Sequence, residues 1–311
     1  MNESSRPPPE PQPAPGAVRL GERHAVSTFG QARQVLAWIW AHPANRQRRL
    51  RGVMRAVAFQ LRSLLGHRMM TTIGRDGRMW VAPHERAASK ALYANPPDWN
   101  EMSAWRLILT PGDLFVDVGS NVGTYALWAG DAGATVIAIE PNPAAAARLR
   151  ENAALNDFPI IVVQCALAAA PGRMTLSRGR DCMNHLLFGA APGVGDEIDV
   201  DTLDNVLRGR YAAGVKIDVE GAERLVLEGA EQALSQGRIG VLQLEWNGMS
   251  ERILGEPRSR AADILLRHGY TFARPGPDGV LHAVDPWRPS PEDIFAFAPA
   301  DPWSTRTVRV C

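Results

Sequence analysis

Leu114-Phe-Val-Asp-Val-Gly-Ser-Asn-Val-Gly-Thr124 decides the fold of this 311-residue chain. A run of buried-strand character leads into Asp117-x-Gly119-x-Asn121-x-Gly123. A helix-length segment follows, and a second apolar run, Val136-Ile-Ala-Ile, closes on Glu140. Strand, glycine turn, helix, strand and acid in this order is the layout of a nucleotide site at the first turn of a βαβ unit. Asn142-Pro143 reads as a helix start, with Asn as N-cap and Pro in the first helical position. Glu140 is thereby fixed at the carboxyl end of the second strand, where ligands of doubly wound sheets lie and where a carboxylate can accept both hydroxyl protons of a ribose. Gly119 and Gly123 let the backbone approach a ligand, and the following helix N-terminus favours its anionic end.

Outward from this unit the period alternates. Strands are expected at 114–118, 135–139, 160–165, 214–219, 239–245, 270–274 and 293–297. Helices are expected at 122–130, 143–154, 222–235 and 258–268, with a polar insertion between the third and fourth strands. The expected fold class is α/β: a doubly wound, Rossmann-like, mostly parallel seven-stranded sheet whose last strand is antiparallel, with a helical N-terminal extension. The domain reading is a Pro-rich disordered tail over 1–27, a helical and hairpin extension over 28–110, the catalytic domain over 111–300 and a tail over 301–311. In the extension, 28–41 and 46–66 read as helices broken by His42-Pro43, 70–83 as a hairpin turning at Asp76-Gly77, and 99–109 as a short helix.

Composition describes a globular protein, with 45% apolar and 22% charged residues and a net charge of +1. The charge is uneven: residues 1–68 hold eleven Arg against three Glu. Helix 46–66 therefore has two readings. One is packing on the catalytic domain with a solvated Arg face, preferred because an apolar stripe of this width is normal for core packing. The other is peripheral contact with an anionic membrane at its inner face. Three cysteines at these spacings fit neither a disulfide framework nor a zinc site, and no signal-peptide pattern is read, so a cytoplasmic location is expected. The acidic remainder argues against a nucleic-acid partner. Oligomeric state is not encoded legibly.

A dinucleotide site would need Gly-x-Gly-x-x-Gly, and the register Gly119, Asn121, Thr124 breaks that at two positions. An NAD-type oxidoreductase stays as an alternative. Asp-x-Gly-x-Asn-x-Gly instead resembles the first motif of class I S-adenosylmethionine methyltransferases. Further along lie Val200-Asp-Thr-Leu-Asp204, Val215-Lys-Ile-Asp-Val-Glu-Gly-Ala-Glu223, Leu227-Glu-Gly-Ala230 and Leu244-Glu-Trp-Asn247. Together these resemble the FkbM family of S-adenosylmethionine-dependent methyltransferases over about 93–247. Lys216-Ile-Asp-x-Glu-Gly-Ala-Glu223 is the most specific part. Ser120-Asn121 departs mildly from the Ala-Asn common in the family, and Asp181-Cys-Met-Asn-His185 looks like an Asp-x-x-Asn-His stretch found in some members.

The resemblance implies O-methylation of a small-molecule or carbohydrate acceptor, with a protein acceptor as the other alternative. Asp117, Gly119, Ser120, Asn121, Gly123, Glu140, Asn142 and Ala166 are the expected cofactor residues. An alcohol needs its proton removed before it can displace a methyl group. Asp218, at the end of the fourth strand, and His185, in the insertion, are the base candidates, with Glu245 beside the acceptor. Asn184, Glu101 and Asn247 are the candidate acceptor contacts. No metal ligands are assigned, and dependence on a divalent cation is left open. Glu220 and Glu223 read at least as well as helix caps, with Glu223 a potential partner for Lys216. Asp199-Val-Asp201 reads as a solvated strand face.

Overall fold

The computed structural model describes residues 28–83, 85–176, 186–187, 195–246, 249–277, 280–288 and 293–299. By Cα proximity the chain divides into Met1–Trp38 and Ile39–Cys311. In the first unit the described residues are helical, the start of α1 (Thr28–Ala41). The larger unit begins with the end of α1, a 3-10 turn at Pro43–Asn45 and α2 (Arg49–Leu64). A hairpin of β1 (Met69–Ile73) and β2 (Gly77–Val81) follows, then α3 (Arg86–Tyr93) and α4 (Trp99–Ile108).

The alternating part starts with β3 (Leu114–Val118), α5 (Thr124–Asp131), β4 (Thr135–Ile139), α6 (Pro143–Ala154) and β5 (Ile160–Val163). Next come β6 (Ala166–Leu167), β7 (Gly172–Leu176), β8 (Leu186–Leu187), β9 (Asp196–Asp201) and α7 (Leu203–Leu207). The chain continues through β10 (Ala212–Ile217), α8 (Glu223–Glu228), α9 (Glu231–Ser235), β11 (Ile239–Leu244), α10 (Met249–Leu254) and α11 (Ser259–Arg267). It ends with β12 (Thr271–Pro275), β13 (Leu281–Ala283) and β14 (Ile294–Phe297).

Among the described residues the main sheet has eight strands in the order β13-β12-β14-β11-β10-β3-β4-β5. Strands β5, β4, β3, β10 and β11 are parallel, and β14 inserts antiparallel between β11 and β12. The fold is thus class I methyltransferase-like, with β13 as an eighth strand beyond the seven expected. Its three residues are too short to carry a period. The central strands are apolar along most of their length because helices cover both faces. Val116, Val118, Ile137, Ile139, Val215, Ile217, Leu242 and Leu244 are all buried in one core.

Two further differences have local causes. The expected polar insertion contains a second sheet, ordered β6-β9-β7-β8, over a small core of Leu176, Ile198, Val200 and Ala222. Strand β9 alternates buried and solvated residues, and its Asp199 lies 3.3 Å from Arg173, as a solvated face should. The expected helix 222–235 breaks at Gly229-Ala230 into α8 and α9, where the chain passes so close to Ala168 that a Cβ at Gly229 would lie 2.1 Å from its carbonyl oxygen. Asp204 caps the second piece, accepting from the N–H groups of Gln232 and Ala233.

The hairpin is tied to the helices beside the main sheet through polar side chains. Asp131 at the end of α5 accepts from the main-chain N–H of Arg75, Asp76 and Gly77 and pairs with Arg106. Asn152 of α6 and Asn156, just beyond its end, accept from the N–H groups of Trp80 and Arg78. Helix α2 buries Gly52, Ala56 and Phe59: Gly52 faces Ile39 and Asn45, and the Phe59 ring meets Tyr93 of α3 edge-on at 6.4 Å. Its wide apolar stripe does not pack: Leu50, Met54, Val57, Leu61 and Leu64 are exposed. The core-packing reading of that stripe is corrected, because the narrow face opposite it makes the contact.

Candidate active site

The parallel sheet changes direction at β3, which pairs with β4 on one side and β10 on the other. Ligand crevices open at such a switch point, outside the carboxyl ends of the strands. A cavity of about 240 Å³ lies there, lined by residues that follow β3, β4, β5, β10 and β11.

On the β3–β4 side, Gly119 has φ +80°, and a Cβ there would lie 1.9 Å from the Asp218 main-chain oxygen. Only glycine lets the two turns meet this closely. Asn121, also in the left-handed region at φ +51°, donates its N–H to Glu140 Oε2 at 2.8 Å, and the Asn142 N–H donates to Oε1 at 2.8 Å. Two backbone donors therefore aim the carboxylate. Burial raises Glu140 to about 7 against the pull of those bonds. Asn142 caps α6 as expected, accepting from the N–H groups of Ala144 and Ala145. The Ser120 hydroxyl donates to the Asp117 carbonyl at 2.8 Å. Asp117 is 1% exposed, and neither of its carboxyl oxygens has a partner at bonding distance. Burial pushes its carboxyl up, opposed by Lys216. Cys165, Ala166 and Leu167 supply an apolar wall.

Such a donor set fits S-adenosylmethionine. A ribose diol can complete the lone pairs of Glu140, an amino group can satisfy Asp117, and an adenine face suits the apolar wall. The orphaned Asp117 carboxyl is the decisive observation, since a buried acid without a partner is costly unless a ligand supplies one.

On the β10–β11 side the chemistry is different. Asp218 Oδ2 lies 2.7 Å from Lys216 Nζ, which itself sits 4.6 Å from the Tyr125 ring centroid. Burial disfavours the ammonium charge, but Asp218, Asp117 and Asp293 outweigh it and hold the lysine protonated. One oxygen each from Asp218, Glu220 and Glu245 lie within 4.8 Å of one another, close enough to face one cation or one acceptor group. Burial and the neighbouring Asp218 raise Glu220 to about 7. Glu245 is pushed far above the carboxylate range by burial and by Asp218, Glu220 and Glu223.

The expected residues Asp117, Gly119, Ser120, Asn121, Glu140, Asn142, Ala166, Asp218 and Glu245 all line the cavity. Gly123 does not; it caps α5 at φ +99°, where a Cβ would lie 2.5 Å from Leu149. Nor does Glu101, which sits in the first turn of α4. His185, Asn184 and Asn247 lie outside the described residues. Glu223 does not pair with Lys216; its carboxyl accepts from the N–H groups of Val219 and Gly221, closing the turn after Asp218. Sequence reading assigned no site role to Lys90, Asp98 or Tyr125, which line the cavity. Lys90 lies 3.7 Å from Asp98, and the Tyr125 hydroxyl donates to Asp98 at 3.2 Å. Tyr125 directly follows the first motif, which was its one sequence signal, and Lys90 and Asp98 carried none.

Residues 117–272 match the family described as the methyltransferase FkbM domain. A 31-O-demethyl-FK506 methyltransferase, FkbM, from Streptomyces tacrolimicus is 34% identical over 199 residues, covering 52% of this chain and 74% of that protein. Methyltransferase sdnD from Sordaria araneosa is 27% identical over 165 residues, covering 40% of this chain and 62% of its own length. Among solved structures, a TehB-like SAM-dependent methyltransferase from Corynebacterium glutamicum superposes with a TM-score of 0.40 at 14% identity, covering 68% of this chain and 94% of that one.

Proposed function

The chain belongs to the FkbM methyltransferase family and uses S-adenosylmethionine, and from that premise we propose that it methylates a hydroxyl oxygen on a small-molecule or carbohydrate acceptor. The observation that carries the reading is the carboxylate group Asp218, Glu220 and Glu245, which shares one cavity with Glu140 and Asp117. An amine acceptor brings its own lone pair, whereas an alcohol must lose a proton as its oxygen attacks. A base is worth most when its proton affinity lies near the working pH. The Streptomyces relative is named for a demethylated oxygen position of FK506, which fits the same chemistry.

Bound S-adenosylmethionine supplies an electrophilic sulfonium methyl group. Glu140 accepts the ribose hydroxyls, and Asp117 accepts from the amino group. Asp218, fixed by Lys216, accepts a hydrogen bond from the acceptor hydroxyl and orients it. Glu220, raised to about 7, takes the proton. Glu245 is kept protonated by burial and by its acidic neighbours and donates a hydrogen bond to the acceptor. His185, Asn184 and Asn247 remain candidates for the acceptor side.

The test is methyl transfer from labelled S-adenosylmethionine to panels of sugar and polyketide alcohols, amines and peptides, with the methylated atom located by mass spectrometry. O-methylated alcohols are expected. Transfer only to nitrogen or carbon, or only to peptides, overturns the acceptor class while leaving cofactor use intact.

A further inference from the structure

We propose that α2 is a peripheral membrane-docking helix, its exposed apolar stripe entering the headgroup region of an anionic bilayer and its arginines meeting the lipid phosphates. The stripe is continuous: Leu50, Met54, Val57, Leu61 and Leu64 recur at helical spacing, with Leu65 just beyond. They are exposed to an unusual degree, Leu50 by 72%, Leu61 by 60% and Leu64 by 83%. The opposite face, Gly52, Ala56 and Phe59, is the one that packs. An α-helix places these two sets on opposite sides of its axis, so the stripe points away from the body it is docked on. Scattered exposed apolar residues need no explanation, but an aligned row does.

Charge identifies the occupant. Arg51 and Arg62, both exposed, fall along one flank of the stripe and Arg49 along the other, the positions from which long side chains reach a headgroup layer, while Arg55, further round towards the packed face, is half-buried. No Asp or Glu occurs between Glu22 and Asp76, so nothing along this stretch offsets the field. Trp40, exposed and lying under Arg49 at 5.3 Å, adds an amphipathic ring of the kind that settles at interfaces. A second copy would bring the same arginines face to face. Residues 1–27 carry three Arg and three Glu and offer no acidic complement. No helix among the described residues is long and apolar enough to cross a membrane, so the contact is with the surface. Helix α3, on which α2 docks, carries Lys90 to the lining of the cavity, so the docking helix packs on an element of the site itself.

The experiment is flotation of the full chain with vesicles of phosphatidylcholine alone or mixed with phosphatidylglycerol. Binding to the mixed vesicles is expected, weakening as salt is raised. The triple substitution Leu50→Gln, Leu61→Gln, Leu64→Gln should lower that binding by roughly 30-fold or more, since each buried methylene contributes to partitioning. Arg51→Gln with Arg62→Gln should abolish the preference for anionic lipid. Unchanged S-adenosylhomocysteine affinity in the variants confirms that they are folded. Absence of binding by the wild-type chain, or equal binding by the triple variant, overturns the proposal. So does a dimer that the triple variant dissociates, which would make a second copy the occupant. An acidic protein partner as occupant would leave the vesicles unbound and is excluded by flotation.

Discussion

The two sides of the cavity are built by different means. On the β3–β4 side the binding geometry is made by the backbone: Gly119 meets the Asp218 carbonyl, and two N–H groups hold Glu140 at 2.8 Å each. On the β10–β11 side it is made by crowding: three carboxyl groups within 4.8 Å, with Lys216 paired to one of them. Backbone geometry suits a cofactor that is always the same. Crowded side chains suit proton transfer, because like charges and burial move carboxyl groups towards neutral pH.

Substitutions on the two sides should separate cleanly. The largest effect is expected from Asp218→Asn. It should lower kcat about 100-fold, the order expected when the acceptor hydroxyl loses the group that orients it, while S-adenosylhomocysteine affinity changes little. A parallel thermal melt checks that Lys216, left beside a neutral partner, has not unfolded the turn. On the other side, Glu140→Ala removes charge-assisted bonds to the ribose and should raise the cofactor KM by roughly 50-fold, with kcat at saturation nearly unchanged. Equal losses of kcat and affinity in both variants would erase the distinction between the sides.

Titration sharpens the comparison further. Glu220, at about 7, is active as the carboxylate, so kcat should rise roughly tenfold per unit as pH climbs towards 7 and then level. Glu220→Gln should lower kcat and flatten that limb. The smallest expected effect is on the protein without ligand. Glu223 is raised to about 7 by burial, above the usual 4.5 of an unfolded Glu, so the folded state holds the proton more tightly. Its contribution to stability is complete below about pH 4.5 and is lost as pH rises through 7. Tm should fall by a few degrees over that window, and by less in Glu223→Gln. A Tm that rises across it contradicts the assignment.

The difference between the sides also governs what the sequence discloses. Asp117, Gly119, Asn121 and Glu140 lie within one βαβ unit, where motif spacing and spatial neighbourhood coincide, and all four line the cavity. Gly123 belongs to the same motif but serves the packing of α5 against Leu149, a distinction spacing does not carry. The Lys216–Asp218 pair joins the end of one strand to the turn beyond it and was not foreseen, because alternation along a strand says nothing about charge neighbours. Lys90 and Asp98 reach the cavity from the extension, a placement that only tertiary packing determines. The small second sheet hid behind polar, alternating residues, and the stripe on α2 had the period of a core helix while facing solvent. In both, the period was legible and the side that packs was not.

Calorimetric titration with S-adenosylhomocysteine at pH 6 and pH 8, on the wild-type chain and on Glu140→Gln, tests the central claim most directly. With Glu140 at about 7 and binding as the carboxylate, the wild type should bind roughly tenfold more tightly at pH 8, and the variant should bind weakly at both. Wild-type affinity independent of pH, or a variant that binds as well as the wild type, would contradict a cofactor held by a backbone-aimed Glu140 carboxylate.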